Sequence, residues 1–197
     1  MRALATASYP ESMAPIAVLL TDPVEDVQLE AIDTLLGFVV TDKVATARKV
    51  ALVIEVRDKP RAEGVFDLGP FVILPRPVVP EVVAGLAAAM RDEQTRVRLE
   101  ATYALGVLAR PPAAATATDA LVAALSAPEV KVRVAAARVL GALRATGAGD
   151  ALIEAVNDRN DDVKASAMRA LGGLREGRAI QALTKQCQRY GNGELAL

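Results

Sequence analysis

The chain has 197 residues, 23 Lys+Arg against 24 Asp+Glu, a formal net charge of −1 and no His. That balance argues against non-specific nucleic-acid binding, which needs a cationic excess, and the missing imidazole excludes Ser-His-Asp and Cys-His catalysis and His-ligated metals. Hydrophobic residues make up 52 % but aromatics only 3 %, with no Trp, so the apolar mass is Ala, Val and Leu, which suits closely stacked helices better than a sandwich or barrel core.

In chain order, Met1–Leu20 does not read as a signal peptide, because Pro10, Glu11 and Pro15 interrupt any apolar stretch. No run reaches the roughly 18–20 apolar residues of a membrane span. The expected location is the cytoplasm by default, or the periplasm if a signal has been removed. A first helix–turn–helix unit is expected over about 13–40. Ile16 and Leu20 mark one face of its first helix, Asp22-Pro23 the turn, and Val27, Ala31, Leu35 and Phe38 the buried face of its second helix.

Residues 41–78 break the pattern. Val50–Val56 is rich in β-branched residues, Arg57–Gly64 is polar, and Val65–Leu74 is apolar again. Pro70, Pro75, Pro77 and Pro80 oppose a continuous helix through 65–80. Two readings stand: a β-hairpin pairing 49–56 with 65–74, or a degenerate repeat with a helix over 44–57 and an extended return. Either way the insert is too apolar to be a plain linker.

The unit then returns over about 79–110, 117–145 and 148–176. Aligned on Val27, Val97, Val132 and Val163, the core positions repeat without gaps: Ala101, Ala136 and Ala167 four residues on, Leu105, Leu140 and Leu171 eight on, and Leu108, Leu143 and Leu174 eleven on. Gly106, Gly141 and Gly172 recur nine on, with Leu36 the exception. No single helix pair buries its own apolar face, so this register predicts stacked units. Leu183 and Cys187 continue the register into a capping helix over 177–190.

The segments Asp92–Gly106 (DEQTRVRLEATYALG), Pro128–Gly141 (PEVKVRVAAARVLG) and Asp158–Gly172 (DRNDDVKASAMRALG) resemble the HEAT-repeat family, in particular its short phycobilisome-lyase-type bacterial form. The fold this implies is all-α: a right-handed α-solenoid of antiparallel helix pairs, HEAT/armadillo-like, in one domain over 1–197 with the insert as its irregular part. The resemblance also implies a ladder tying adjacent turns together, with Asp22, Asp92 and Asp158 before each anchor and Arg98, Arg133 and Lys164 just after it. It places second helices on a concave surface, where Asp33, Tyr103, Arg138 and Arg169 recur six residues after the anchor and run from acidic through aromatic to basic. With Phe66 and Phe71 of the insert they are the candidate contacts for a protein or peptide partner.

Cys187 has no His to activate it and falls on a core position, so no nucleophile, metal or cofactor is expected. The expected function is a non-enzymatic protein–protein interaction scaffold. The alternatives are a subunit of a phycobilin-lyase-like or other HEAT-type enzyme and, ranked lower, a nucleic-acid binder using the basic C-terminal repeats.

Overall fold

A computed structural model gives the architecture; it describes residues 12–40, 61–69, 74, 76–109 and 114–190. Among them are ten α-helices and no strand: α1 Met13–Val18, α2 Glu25–Val39, α3 Arg61–Asp67, α4 Pro80–Ala89, α5 Thr95–Leu108, α6 Ala114–Ala124, α7 Val130–Ala142, α8 Gly149–Ala155, α9 Asp161–Leu174 and α10 Ile180–Tyr190. The chain folds as an armadillo/HEAT-type helical solenoid in two compact units, Met1–Ala113 and Ala114–Leu197.

In the first unit, α4 packs on α1 and α5 on α2, so first helices meet first helices and second meet second. The positions the register singles out belong to the core, with one exception. Ile16, Leu20, Ala31, Leu35, Phe38, Leu86, Met90, Val97, Ala101, Leu105 and Leu108 are all buried. Val27 alone of the four anchors is only half-buried, and the neighbouring Gln28 is buried in its place. In the second unit α9 lies along α7, and α6 and α8 flank them. Val132, Ala136, Leu140, Leu152, Val156, Val163, Ala167 and Leu171 belong to its core, whereas Leu143, Leu174 and Leu183, expected on core positions, lie at helix ends or on the last helix and are only half-buried.

The turns explain why each pair folds back. Asp22, Asp92 and Asp158 each accept, through Oδ1, the backbone N–H two residues on (Val24 at 2.9 Å, Gln94 at 2.8 Å, Asn160 at 2.8 Å). This is the side-chain-closed turn that Asp favours. Asn160 then caps α9 by accepting from the N–H groups of Asp162 and Val163. α7 and α9 both end in a left-handed residue, Arg144 (φ 50°) and Arg175 (φ 54°). Behind each, N–H groups return to the last turn: Ala145 to the Leu140 carbonyl, and Glu176 to the Leu171 carbonyl.

The insert corrects one reading. Residues 61–67, expected as part of a polar turn and the start of a second hairpin strand, form α3. The reason is visible in Ala62, Val65 and Phe66, which are spaced three and four apart and so share one helical face; Ala62 and Val65 are buried. The other hairpin arm, 49–56, and the helix expected over 44–57 lie outside the described residues. The chain's return toward α4 is tied to the end of α2: the Leu74 N–H donates to the Val39 carbonyl at 2.6 Å and Arg76 Nη1 to the Phe38 carbonyl at 2.8 Å.

Candidate protein-binding face

The turn positions form a connected polar seam inside each unit. In the first, Gln28 Nε2 donates to Asp92 Oδ2 at 2.7 Å and to the Leu20 carbonyl at 3.3 Å, joining the second helix of one repeat to the turn of the next. Asp92 thus closes its own turn with one oxygen and binds the preceding repeat with the other. In the second unit Arg133 makes the same connection more strongly. Its Nε and Nη2 donate to the two Asp158 oxygens at 2.8 and 3.0 Å. Its Nη1 donates to the Ala127 and Pro128 carbonyls at 2.9 and 3.0 Å. Burial acts to raise the Asp158 carboxyl, but the hydrogen bonds from Arg133 and the Asn160 N–H, with the Arg133 and Arg159 charges, outweigh it and hold the pKa below its ordinary value.

Of the remaining ladder positions, Asp22 closes its turn. Arg98 Nη1 donates to the Asp92 and Glu93 carbonyls at 2.6 and 2.9 Å. Lys164 is buried and pairs with Asp161 on its own helix at 2.7 Å.

The face built by second helices holds the other named residues. In the first unit, α2 contributes Asp26, Glu30 and Asp33, which the helical repeat puts on one side. They line a furrow of about 250 Å³ together with Arg96 and Glu100 of α5 and Arg61 of α3. Arg61 pairs with Asp33 at 3.0 Å. Tyr103, expected as an open anchor, is instead 3 % exposed. α3 covers it: the Phe66 ring lies 5.4 Å from the Tyr103 ring, tilted by 48°, and the Tyr103 hydroxyl donates to Glu63 Oε1 at 3.2 Å. Phe66 is half-buried by that contact, and Phe71 lies outside the described residues. In the second unit Arg138 is half-buried and Arg169 exposed.

Three residues that matter here escaped the sequence reading. Glu100 is 5 % exposed, and its Oε1 and Oε2 accept the N–H groups of Arg61 and Ala62, each at 2.7 Å. A carboxylate from α5 therefore caps α3 across nearly forty residues of sequence. Arg61 and Glu63 complete the contact. A signal for Glu100 existed: it occupies the slot filled by Ala135 and Ser166 in the later repeats, and such a departure from a small residue marks a local task. Near the start of α10, Arg178 bridges Glu176 at 2.9 Å and Asp150 at 2.8 Å. The Arg178 side-chain hydrogen bond, then its backbone N–H, hold the Glu176 carboxyl below its ordinary value. Both carboxylates raise the Arg178 pKa.

Among the described residues no group of His, Cys, Asp and Glu has the arrangement to hold a metal, and no helix is long and apolar enough to cross a membrane. The Cys187 side chain is outside the described set.

Residues 118–192 match the family model of HEAT repeats. Several solved structures share the fold. An engineered protein is 20 % identical at a TM-score of 0.57, the match covering 99 % of this chain and 83 % of that one. A designed armadillo repeat protein in complex with the peptide (KR)4 is 18 % identical at a TM-score of 0.58, covering 94 % and 77 %. Human deoxyhypusine hydroxylase is 20 % identical at a TM-score of 0.51, covering 99 % and 62 %. At such identities the likeness establishes the fold alone. No curated protein matches the sequence.

Proposed function

Starting from a chain whose residues 118–192 match the HEAT-repeat family model, we propose that the protein is a non-enzymatic scaffold that binds a protein or peptide segment on the second-helix faces of its repeats. The observation that carries this reading is the α2/α5 face. It offers an open furrow lined by Asp26, Glu30 and Asp33 of α2 and by Arg96 of α5. Beside the furrow it already holds a helical segment, α3, by charge, hydrogen bonds and ring contact together. Such a surface recognises polypeptide: donors and acceptors for backbone, carboxylates for cationic side chains and a ring for an apolar anchor.

The likeness to a designed armadillo protein solved with a peptide supports a peptide-type partner. The likeness to a hydroxylase, at 20 % identity and with 62 % of that chain covered, is one of fold and brings no catalytic reading with it. A nucleic-acid role has less support, because residues 114–197, which contain α7 and α9, carry only 11 Lys+Arg against 9 Asp+Glu.

The test is affinity capture from the native lysate with three baits: the unaltered chain; one with Asp26→Lys, Glu30→Lys, Arg138→Glu and Arg169→Glu on second helices; and one with Glu81→Lys and Glu154→Lys on first helices. The expected result is a protein retained by the first and third and lost from the second. Capture that is indifferent to the second-helix changes, or lost equally from both variants, would overturn the reading.

A further inference from the structure

α3 meets the solenoid as a ligand meets a receptor. Only Ala62 and Val65 of its seven residues are buried, a small apolar contribution for a helix. The rest of its attachment is the Phe66 ring against Tyr103, the two N–H groups on Glu100 and ion pairing at its rim. Arg61 keeps 57 % of its side chain exposed while pairing with Asp33, and Leu68, just past the helix, is 47 % exposed. Glycine stands at position 64, in the middle of the helix, where it weakens helix formation. Packing does not require it, since a Cβ built there meets nothing within 4 Å.

The receiving side is equally informative. Glu100, Asp33 and the Tyr103 hydroxyl all spend hydrogen bonds on α3, and the helix is the cover over them. Its departure takes both backbone partners from the Glu100 carboxylate, which is 5 % exposed, so a segment that replaces it must offer the same two N–H groups.

We propose that α3 is a displaceable occupant of the α2/α5 face, and that the segment which replaces it is a partner helix with the same chemistry: a cationic residue and free N–H groups at its start, for Asp33 and Glu100, and an aromatic residue about five positions on, for Tyr103. This rests on the protein-binding reading above and adds to it both the partner's pattern and a built-in competitor. A partner then binds with its intrinsic affinity reduced by the fraction of chains whose face is open. Glycine at 64 makes that fraction larger than alanine would.

The test uses the full chain and a fluorescein-labelled peptide with the sequence of residues 58–69, followed by anisotropy. Arg61→Glu with Phe66→Ala undocks α3 without altering the receptor, and the peptide should bind this variant at least ten-fold more tightly than the unaltered chain. Gly64→Ala holds α3 in place, since alanine favours the helix about four- to five-fold, and should weaken peptide binding by a similar factor. In the unaltered chain, the α3 amides should exchange with deuterium faster than those of α5. Equal peptide affinity for the unaltered chain and Gly64→Ala, or α3 amides as protected as those of α5, would overturn the proposal. The Gly64→Ala and exchange measurements decide the matter even if the double variant loses helicity. Because the probe is the chain's own sequence, failure here leaves the capture experiment standing, and failed capture leaves the release of α3 measurable.

Discussion

Asp158 shows how much one side chain does in this fold. It closes the turn before α9, accepts both Arg133 contacts and carries a lowered pKa. A carboxyl whose folded pKa lies below its unfolded one contributes stability that is present above the unfolded value, here 3.8, and lost as pH falls through the folded value. Denaturant midpoints of the unaltered chain should therefore drop more steeply below about pH 4 than those of Asp158→Asn; parallel pH profiles would refute this. Arg133→Ala should cost about 3 kcal/mol, at the low end for breaking a buried pair because Asp158 keeps some solvent access. Arg144 is a different residue-scale case. Its φ of 50° is strained for a side chain bearing a Cβ, so Arg144→Gly should raise the urea midpoint by the equivalent of about 0.5–1 kcal/mol. An unchanged midpoint would refute the strain account.

At the scale of elements, packing decides which repeating residue matters. Gly141 and Gly172 look equivalent in the sequence, and the structure separates them. A Cβ at Gly141 would lie 2.9 Å from both Cα and Cβ of Ala170, so this glycine sets the close crossing of α7 and α9; a Cβ at Gly172 meets nothing within 4 Å. Gly141→Ala should destabilise by about 1–3 kcal/mol through overpacking. Gly172→Ala should stabilise by up to about 1 kcal/mol through helix propensity. Thermal melts of the two variants moving in the same direction would contradict this account.

The contrast marks where sequence reading stops. The register from Val97, Val132 and Val163 located the core helices, because burial of one helical face is periodic. The ladder residues were legible as types, and Asp92 and Asp158 close turns as Asp does. What sequence could not give was non-local. Tyr103 sits six residues from its anchor like Arg138 and Arg169, yet it is covered. The cover, α3, lies in a stretch whose short apolar runs fit strand and helix equally well. Its stabilising partner, Glu100, is on another helix far along the chain. Local patterns carry no information about such a cap.

At the scale of the whole molecule, a net charge of −1 conceals an uneven distribution. Residues 1–113 contain 12 Lys+Arg against 15 Asp+Glu, whereas residues 114–197 contain 11 against 9. The second-helix residues follow the same division: Asp26, Glu30 and Asp33 line the furrow of the first unit, and Arg138 and Arg169 stand on the second helices of the other. On the protein-binding reading proposed above, each unit would favour a different charge in the segment it meets. Fields of this kind act over about 8–10 Å at physiological salt and govern encounter rate more than lifetime. The two units should accordingly separate in kinetics against the captured partner. Arg138→Glu with Arg169→Glu should lower the association rate and flatten its dependence on salt, with little change in dissociation. Arg61→Glu with Phe66→Ala should instead raise the apparent association rate, because a larger fraction of molecules presents an open α2/α5 face. Surface plasmon resonance at 50 and 300 mM salt distinguishes them. If the two Arg replacements change only the dissociation rate, the second unit holds its ligand by contact rather than steering it by charge, and this division of labour is wrong.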